Sequence, residues 1–179
     1  MTAWRTRGHR GDALEDIILL TNEYYKNHHY AIVDKASTPI KVVDIDGSGI
    51  ITKGYFEKKS TVDFIGLVQG LAIAFDAKET NLASLPLSNI HEHQFEYMRE
   101  FSFQGGFSFI IVHFKRYDEY YLIPFETIDA YYENSKKNGR KSIPYESMLD
   151  RFEIKIEHNN MLNYLPVLNE YMEFKKSSI

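Results

Sequence analysis

The chain has 179 residues, 44% of them apolar, with 21 Lys and Arg against 25 Asp and Glu for a net charge of -4. That length and apolar content fit one compact domain and exclude a disordered or fibrous chain, and the near balance of charge gives no global reason to expect a polyanionic partner. Cysteine is absent, which excludes disulfides, thiolate zinc sites and a cysteine nucleophile. The longest apolar run, Leu71 to Phe75, falls far short of the roughly 20 residues of a membrane span, and the N-terminus does not read as a secretory signal. The expectation is a soluble, cytoplasmic protein with no membrane partner.

Residues 1–11 carry Arg5, Arg7 and Arg10 with no acid, and read as a flexible basic arm ahead of a single domain over 12–179. Asp12 and Glu15 form a capping box for a helix over 12–27, whose Leu14, Ile17, Ile18, Thr21, Tyr24 and Tyr25 share one face. Residues 30–34 and 39–45, rich in Val and Ile and separated by a Pro, predict two short strands or one broken strand. The Gly- and Lys-punctuated stretch 46–60 predicts a short projecting loop or stalk. Residues 62–68 and 71–78 flank Gln69-Gly70 as a hairpin with a two-residue turn. Ser88 or Asn89, with Glu92, caps a second helix that ends near Gly105-Gly106. Residues 107–114 suit a buried strand and 119–123 a shorter partner. A helix over 125–138 follows Pro124, and the tail offers a strand at 152–156 and an amphipathic helix near 161–174, interrupted or kinked at Pro166. This order predicts an α/β fold, a mixed sheet flanked by helices.

The hairpin carries the chemistry. Paired positions across a two-residue turn sum to a constant, which sets Asp63 opposite Asp76 and Thr61 opposite Lys78. With period two, these four share one face, while Val62, Phe64, Phe75 and Ala77 share the other. Two carboxylates directly opposed on a partly buried strand repel, and burial raises their pKa unless a cation neutralises them. A divalent metal is one neutraliser: Mg²⁺ takes a few carboxylate oxygens, keeps several waters and accepts phosphate oxygens. With Lys78 beside Asp76, the set can hold a metal, polarise a phosphodiester and orient an attacking water. The competing reading is an ordinary surface salt bridge between Lys78 and either aspartate.

Asp63, a hairpin, and then Asp76-Ala77-Lys78 resembles the active-site pattern of the PD-(D/E)xK nucleases, and the wider text resembles their RecU-type Holliday junction resolvases. The matching segments include Thr21-Asn22-Glu23-Tyr24-Tyr25, Ser60-Thr61-Val62-Asp63-Phe64-Ile65-Gly66, Phe75-Asp76-Ala77-Lys78-Glu79-Thr80, His91-Glu92-His93-Gln94, Gln104-Gly105-Gly106 and Arg140-Lys141-Ser142-Ile143. The resemblance implies a restriction-endonuclease-like core and a homodimer that cuts four-way DNA junctions by paired Mg²⁺-dependent nicks, with Mn²⁺ as a substitute ion and a recombinase as a further partner. It assigns metal binding to Thr61, Asp63, Asp76 and Gln94, transition-state stabilisation to Lys78, and an acidic position that completes the site to Glu15. Glu15 reads equally as a helix cap, and Gln94 as a solvent-facing amide. Asp76 stands where the family usually has Glu, and Val62, Phe64 and Ile65 replace family polar residues. The stalk text is shorter and less basic than the family's. Two alternatives remain: a nuclease of the same superfamily acting on linear or flapped DNA, and a non-catalytic DNA-binding recombination partner.

Asp44 to Ile51 mimics the start of an EF-hand loop, but Tyr55 stands where the bidentate Glu belongs, so a Gly-rich turn is the expectation. His91 and His93, two apart, fall on different sides of a helix. The net charge conceals clusters: residues 1–11, 53–59 and 136–141 hold ten Lys or Arg and one acid, a net +9 that leaves -13 elsewhere. Arg5, Arg7, Arg10, Lys53, Lys58, Lys59, Lys136, Lys137, Arg140 and Lys141 are therefore the candidate DNA-backbone contacts.

Overall fold

A computed structural model describes residues 13–56, 61–157 and 160–177. The basic arm with Arg5, Arg7 and Arg10, the Asp12 cap, and Lys58 and Lys59 lie outside the described residues. The elements in chain order are α1 (Ala13–Asn27), β1 (Ile32–Lys35), β2 (Ile40–Ile45), β3 (Ile51–Phe56), β4 (Phe64–Val68), β5 (Leu71–Thr80), β6 (Ser84–Pro86), α2 (Glu92–Phe103), β7 (Phe107–Phe114), β8 (Glu119–Pro124), α3 (Phe125–Lys136), β9 (Ser142–Pro144), β10 (Glu153–Ile154) and α4 (Leu165–Ser177). Six strands form one sheet in the order β1-β4-β5-β7-β8-β10. All neighbours are antiparallel except β5 and β7, which run parallel and are joined through α2. The expected α/β fold, a mixed sheet flanked by helices, is the one found.

Alternation along the central strands fills both faces. Leu14, Ile18 and Tyr25 of α1 and Val167, Leu168 and Tyr171 of α4 pack with Phe64, Ile73, Phe75, Phe109 and Ile111 on one side. Phe95 and Met98 of α2 and Phe125 and Ile128 of α3 pack with Ala74, Ile110, Val112 and Ile123 on the other. On the first side Phe64, Phe75 and Phe109 stack across three strands, with ring centroids 5.0 and 4.8 Å apart; each buried ring stabilises the fold by about 1.5–3 kcal/mol. This stack anchors the strand that carries the candidate site.

The β4–β5 hairpin has the expected register, Phe64 opposite Phe75 through Val68 opposite Leu71. Gln69 and Gly70 both take positive φ, 48° and 91°, the mirror-image turn that suits the right-handed twist of the strands. Gly66 lets β1 approach β4: a Cβ there would lie 2.3 Å from the Ile32 carbonyl oxygen.

Several expectations need correction. The ladder stops at Phe64, because the chain bends at Asp63. Thr61 is therefore not paired with Lys78, and Val62 is buried on the α2 side near Ala74 instead of with Phe64 and Phe75. The cap of α2 is His91, not Ser88 or Asn89, since Leu87–Asn89 forms a separate 3₁₀ turn. His91 thus stands outside the helix proper, and its ring stacks on that of His93 at 5.5 Å. α4 starts at Leu165, not near 161, so Pro166 occupies the first turn, where a missing N–H costs nothing, and introduces no kink. Over residues 46–56 the chain forms the tip and return strand of a hairpin, one of the two forms expected for this stretch: β2 and β3 pair, and the tip is closed by the Asp46 carboxylate, which accepts from Ser48 and Ile50 N–H and from the Ser48 hydroxyl. That bonding pattern accounts for the EF-hand-like text.

Candidate active site

The polar half of β5 begins where its apolar half ends. Leu71 to Phe75 belong to the core, and Asp76, next on the strand, remains fully buried on the α2 side of the sheet. A lone ionised carboxylate there would be costly to desolvate, and three groups surround it. Gln94 Nε2 of α2 donates to Asp76 Oδ1 at 2.5 Å. The Lys78 ammonium, two residues along the same face, sits against Oδ2, which accepts no other hydrogen bond among the described residues. Asp63 lies next to Asp76 beyond the last ladder pair, its Oδ2 accepting the Ala77 N–H at 2.9 Å. Burial, and then the negative charge of Asp63, push the Asp76 pKa up to about 7, with Lys78 opposing.

Gln94 is fixed by its place on α2. As third residue of the helix it turns back so that Oε1 accepts the His91 N–H at 3.2 Å, and the same oxygen accepts from Lys78 Nζ at 3.3 Å. One buried amide thus closes a helix end and joins the two functional groups of β5. The solvent-facing reading of Gln94 fails because Gln at this position satisfies an otherwise orphaned donor at the helix start.

Glu15 is not part of this cluster. It stands in the first turn of α1, across the sheet, and binds Lys35 Nζ of β1 at 2.5 Å. It nevertheless lines a cleft of about 520 Å³ at the C-terminal end of β5, shared with Lys78, Glu79, Asn89 and Lys115. The sequence reading missed Glu79, Lys35 and Lys115. Period two from Ala77 would have put Glu79 on the α1 face, but the lysines depend on strand pairings that no local pattern declares. Thr61 is half-buried ahead of the bend at Asp63.

Of the candidate backbone contacts, Lys53 stands on the exposed β2–β3 hairpin opposite Asp44. Lys136 pairs with Glu133 at 2.7 Å. Arg140 Nε donates to Ser142 Oγ, and the Lys141 carbonyl accepts the Leu87 N–H. The β6–β9 pair, unforeseen in the sequence, ties this 140–142 segment to the chain just before α2. Lys137 is exposed beyond the end of α3.

Two adjacent aspartates, one with a raised pKa, beside an ammonium at a cleft can take a divalent cation in place of a proton and place positive charge next to a phosphate. Among the described residues no group of three or more His, Asp or Glu is placed to hold a metal ion, here or elsewhere, so the aspartate pair would need further ligands from other groups, water or substrate. A family model described as recombination protein U matches residues 9–170. The Leuconostoc citreum Holliday junction resolvase RecU is 38% identical over 174 residues, covering 94% of this chain and 84% of that protein. The Oceanobacillus iheyensis Holliday junction resolvase RecU is 34% identical over 172 residues, covering 93% and 88%. Among solved structures, Archaeoglobus fulgidus Hjc, a Holliday junction resolvase, aligns with a TM-score of 0.40 at 13% identity, over 65% of this chain and 74% of that one.

Proposed function

From the premise that the chain belongs to the RecU family, we propose that it is an endodeoxyribonuclease that resolves four-way DNA junctions by paired, metal-dependent nicks. The observation that carries this reading is the buried Asp76–Lys78–Gln94 constellation, with Asp63 beside it and Lys78 linking it to the cleft. The donors suit Mg²⁺, or Mn²⁺ in its place, because Asp76 is a fully buried carboxylate beside a second one, Asp63, with the Lys78 ammonium as the cation against its Oδ2. Asp63 and Asp76 would hold the ion, with Thr61 and Gln94 further donors implied by the family pattern. Bound there, such an ion supplies Lewis acidity and a water of lowered pKa. Gln94 Oε1 is already committed to His91 and Lys78, so Gln94 acts first by orienting Asp76 and Lys78. The Ala77 N–H holds the Asp63 carboxylate toward Asp76. Lys78 sets an ammonium where negative charge develops on the phosphate during in-line attack.

Paired nicks call for a homodimer, and the exposed apolar residues of one hairpin fit a second copy. Ile40, Val43, Ile45, Ile51, Tyr55 and Phe56 of the β2–β3 hairpin are each at least half exposed. A two-stranded ribbon with such apolar surface is marginal alone, and a second copy of the hairpin would cover it and set two active sites on one junction. A DNA substrate fits a cytoplasmic protein. No helix among the described residues is long and apolar enough to cross a membrane. The test is cleavage of a mobile four-way junction and of a matched linear duplex, in Mg²⁺ and in Ca²⁺. Symmetrically related nicks in the junction alone, in Mg²⁺ alone, are expected. No product from either substrate in Mg²⁺ removes the enzyme reading, and equal cutting of both removes the junction reading.

A further inference from the structure

We propose that Lys115 is a DNA-backbone contact of this protein, an ammonium anchored by Glu79 on the cleft wall so that it engages a phosphate of the bound strand beside the one at Lys78. The inference rests on the junction-binding reading above. Lys115 follows the last residue of β7 and lines the same cleft as Lys78. Its own N–H donates to the Thr80 carbonyl at 2.9 Å, continuing the parallel β5–β7 pairing in which Lys78 lies beside Val112. Three residues of strand thus separate the two levels, about 10 Å at the usual rise.

The backbone under Lys115 is fixed from several directions. The turn after it is closed by Tyr117 N–H on the Phe114 carbonyl, Tyr117 stacks on Tyr145 with centroids 3.8 Å apart, and Asp118 meets His113 Nε2 at 3.1 Å. Only the side chain has freedom, and Glu79 limits it: Lys115 Nζ lies 2.5 Å from Glu79 Oε2. Glu79 is itself held in the wall, its side chain 13% exposed and its Oε1 buried, with His113 Nδ1 3.8 Å from that oxygen. An ammonium has three donors, and one anchors it. Lys115 is 40% exposed toward the cleft, which leaves donors for a phosphate. A cation held in advance on a rigid turn loses little freedom when the strand arrives. Glu79 is thus a positioning residue, whereas Lys115 is the group that touches DNA.

Four-way junction binding measured in Ca²⁺ across a salt series tests this. Each phosphate contact contributes about 0.9 to the slope of log affinity against log salt. Lys115→Gln is expected to lower that slope by about 0.9 and weaken binding several-fold at low salt, while Lys115→Arg restores both. Lys176→Gln, which removes an exposed cation paired with Glu173 on α4, next to the Lys175 that donates to the Gly106 carbonyl ahead of β7, should leave the slope unchanged. In the unmodified protein, junction binding should also protect the Lys115 amine from acylation. A Lys115→Gln slope equal to wild type, or Lys115 labelling unaffected by junction, overturns the inference. Failure of the wild-type protein to bind the junction at all would instead overturn the junction reading beneath it.

Discussion

Past Phe75, β5 sends acidic side chains to both sides of the sheet, and the two sides handle them differently. On the α2 side Asp76 is fully buried, shares its two oxygens between Gln94 and Lys78, and sits next to a second carboxylate, Asp63. On the α1 side Glu79 and Glu15 line an open cleft, and each has a lysine from a different strand or turn against it, Lys115 and Lys35. Both sides use the same residue types. The difference lies in solvent. Lys115 and Lys35 are close to half exposed, so their pairs are partly screened, whereas Asp76, fully buried beside Asp63, holds its proton to higher pH despite Lys78. In the proposed function, chemistry that needs a cation accordingly belongs on the α2 side, and strand positioning on the α1 side.

Substitutions on the two sides should separate accordingly. Asp76→Asn keeps the shape and the Gln94 contact but removes the buried charge. Junction cleavage should fall by more than the roughly 10²–10³-fold typical of losing one electrostatic contact at a transition state, with junction binding largely kept. Wild-type cleavage by this variant would erase the distinction between the sides. Gln94→Ala removes the amide that orients Asp76 and Lys78, and a loss of about 10–100-fold in single-turnover cleavage is expected, as for other groups that orient metal-binding side chains. Glu15→Gln should change least. Its Lys35 partner is 47% exposed, so a stability change within about 1 kcal/mol is expected in denaturant melts, with a smaller cleavage loss than Gln94→Ala. A Glu15→Gln defect as large as that of Asp76→Asn would mean that the α1 side also carries the reacting centre.

The two sides also differed in how far the sequence disclosed them. The β4–β5 register follows from local arithmetic, because Gln69-Gly70 forms a two-residue turn and alternation then places Asp76 and Lys78 together. That logic ended at Asp63, where the chain bends and carries Thr61 and Val62 out of the alternation. For Gln94 the family resemblance points to the site, whereas its local pattern leaves a solvent-facing amide open, because its burial depends on α2 starting at His91, a boundary set by the preceding 3₁₀ turn. Lys115 reaches the cleft through the β5–β7 pairing, and Lys35 reaches Glu15 on the cleft wall through the β1–β4 pairing, contacts between segments far apart in sequence that leave no local pattern. The β6–β9 pair escaped for the same reason, since each strand has three residues and packs through a distant partner.

The central claim, that Asp76 is a buried carboxylate waiting for a cation, has a thermodynamic signature independent of DNA. Its pKa in the folded protein, about 7, lies above the ordinary value of 3.8. Between those values the folded state binds more protons than the unfolded one, so this group's contribution to stability falls as pH rises through the window, and the full cost is present at pH 8. A cation at Asp63 and Asp76 replaces the proton and removes that cost. The direct measurement is Tm with and without Mg²⁺ at pH 5.5 and pH 8, for wild type and Asp76→Asn. A clearly larger Mg²⁺-induced rise at pH 8 in wild type, lost in Asp76→Asn, is the predicted result; an equal rise at both pH values, or one that survives in Asp76→Asn, would contradict it.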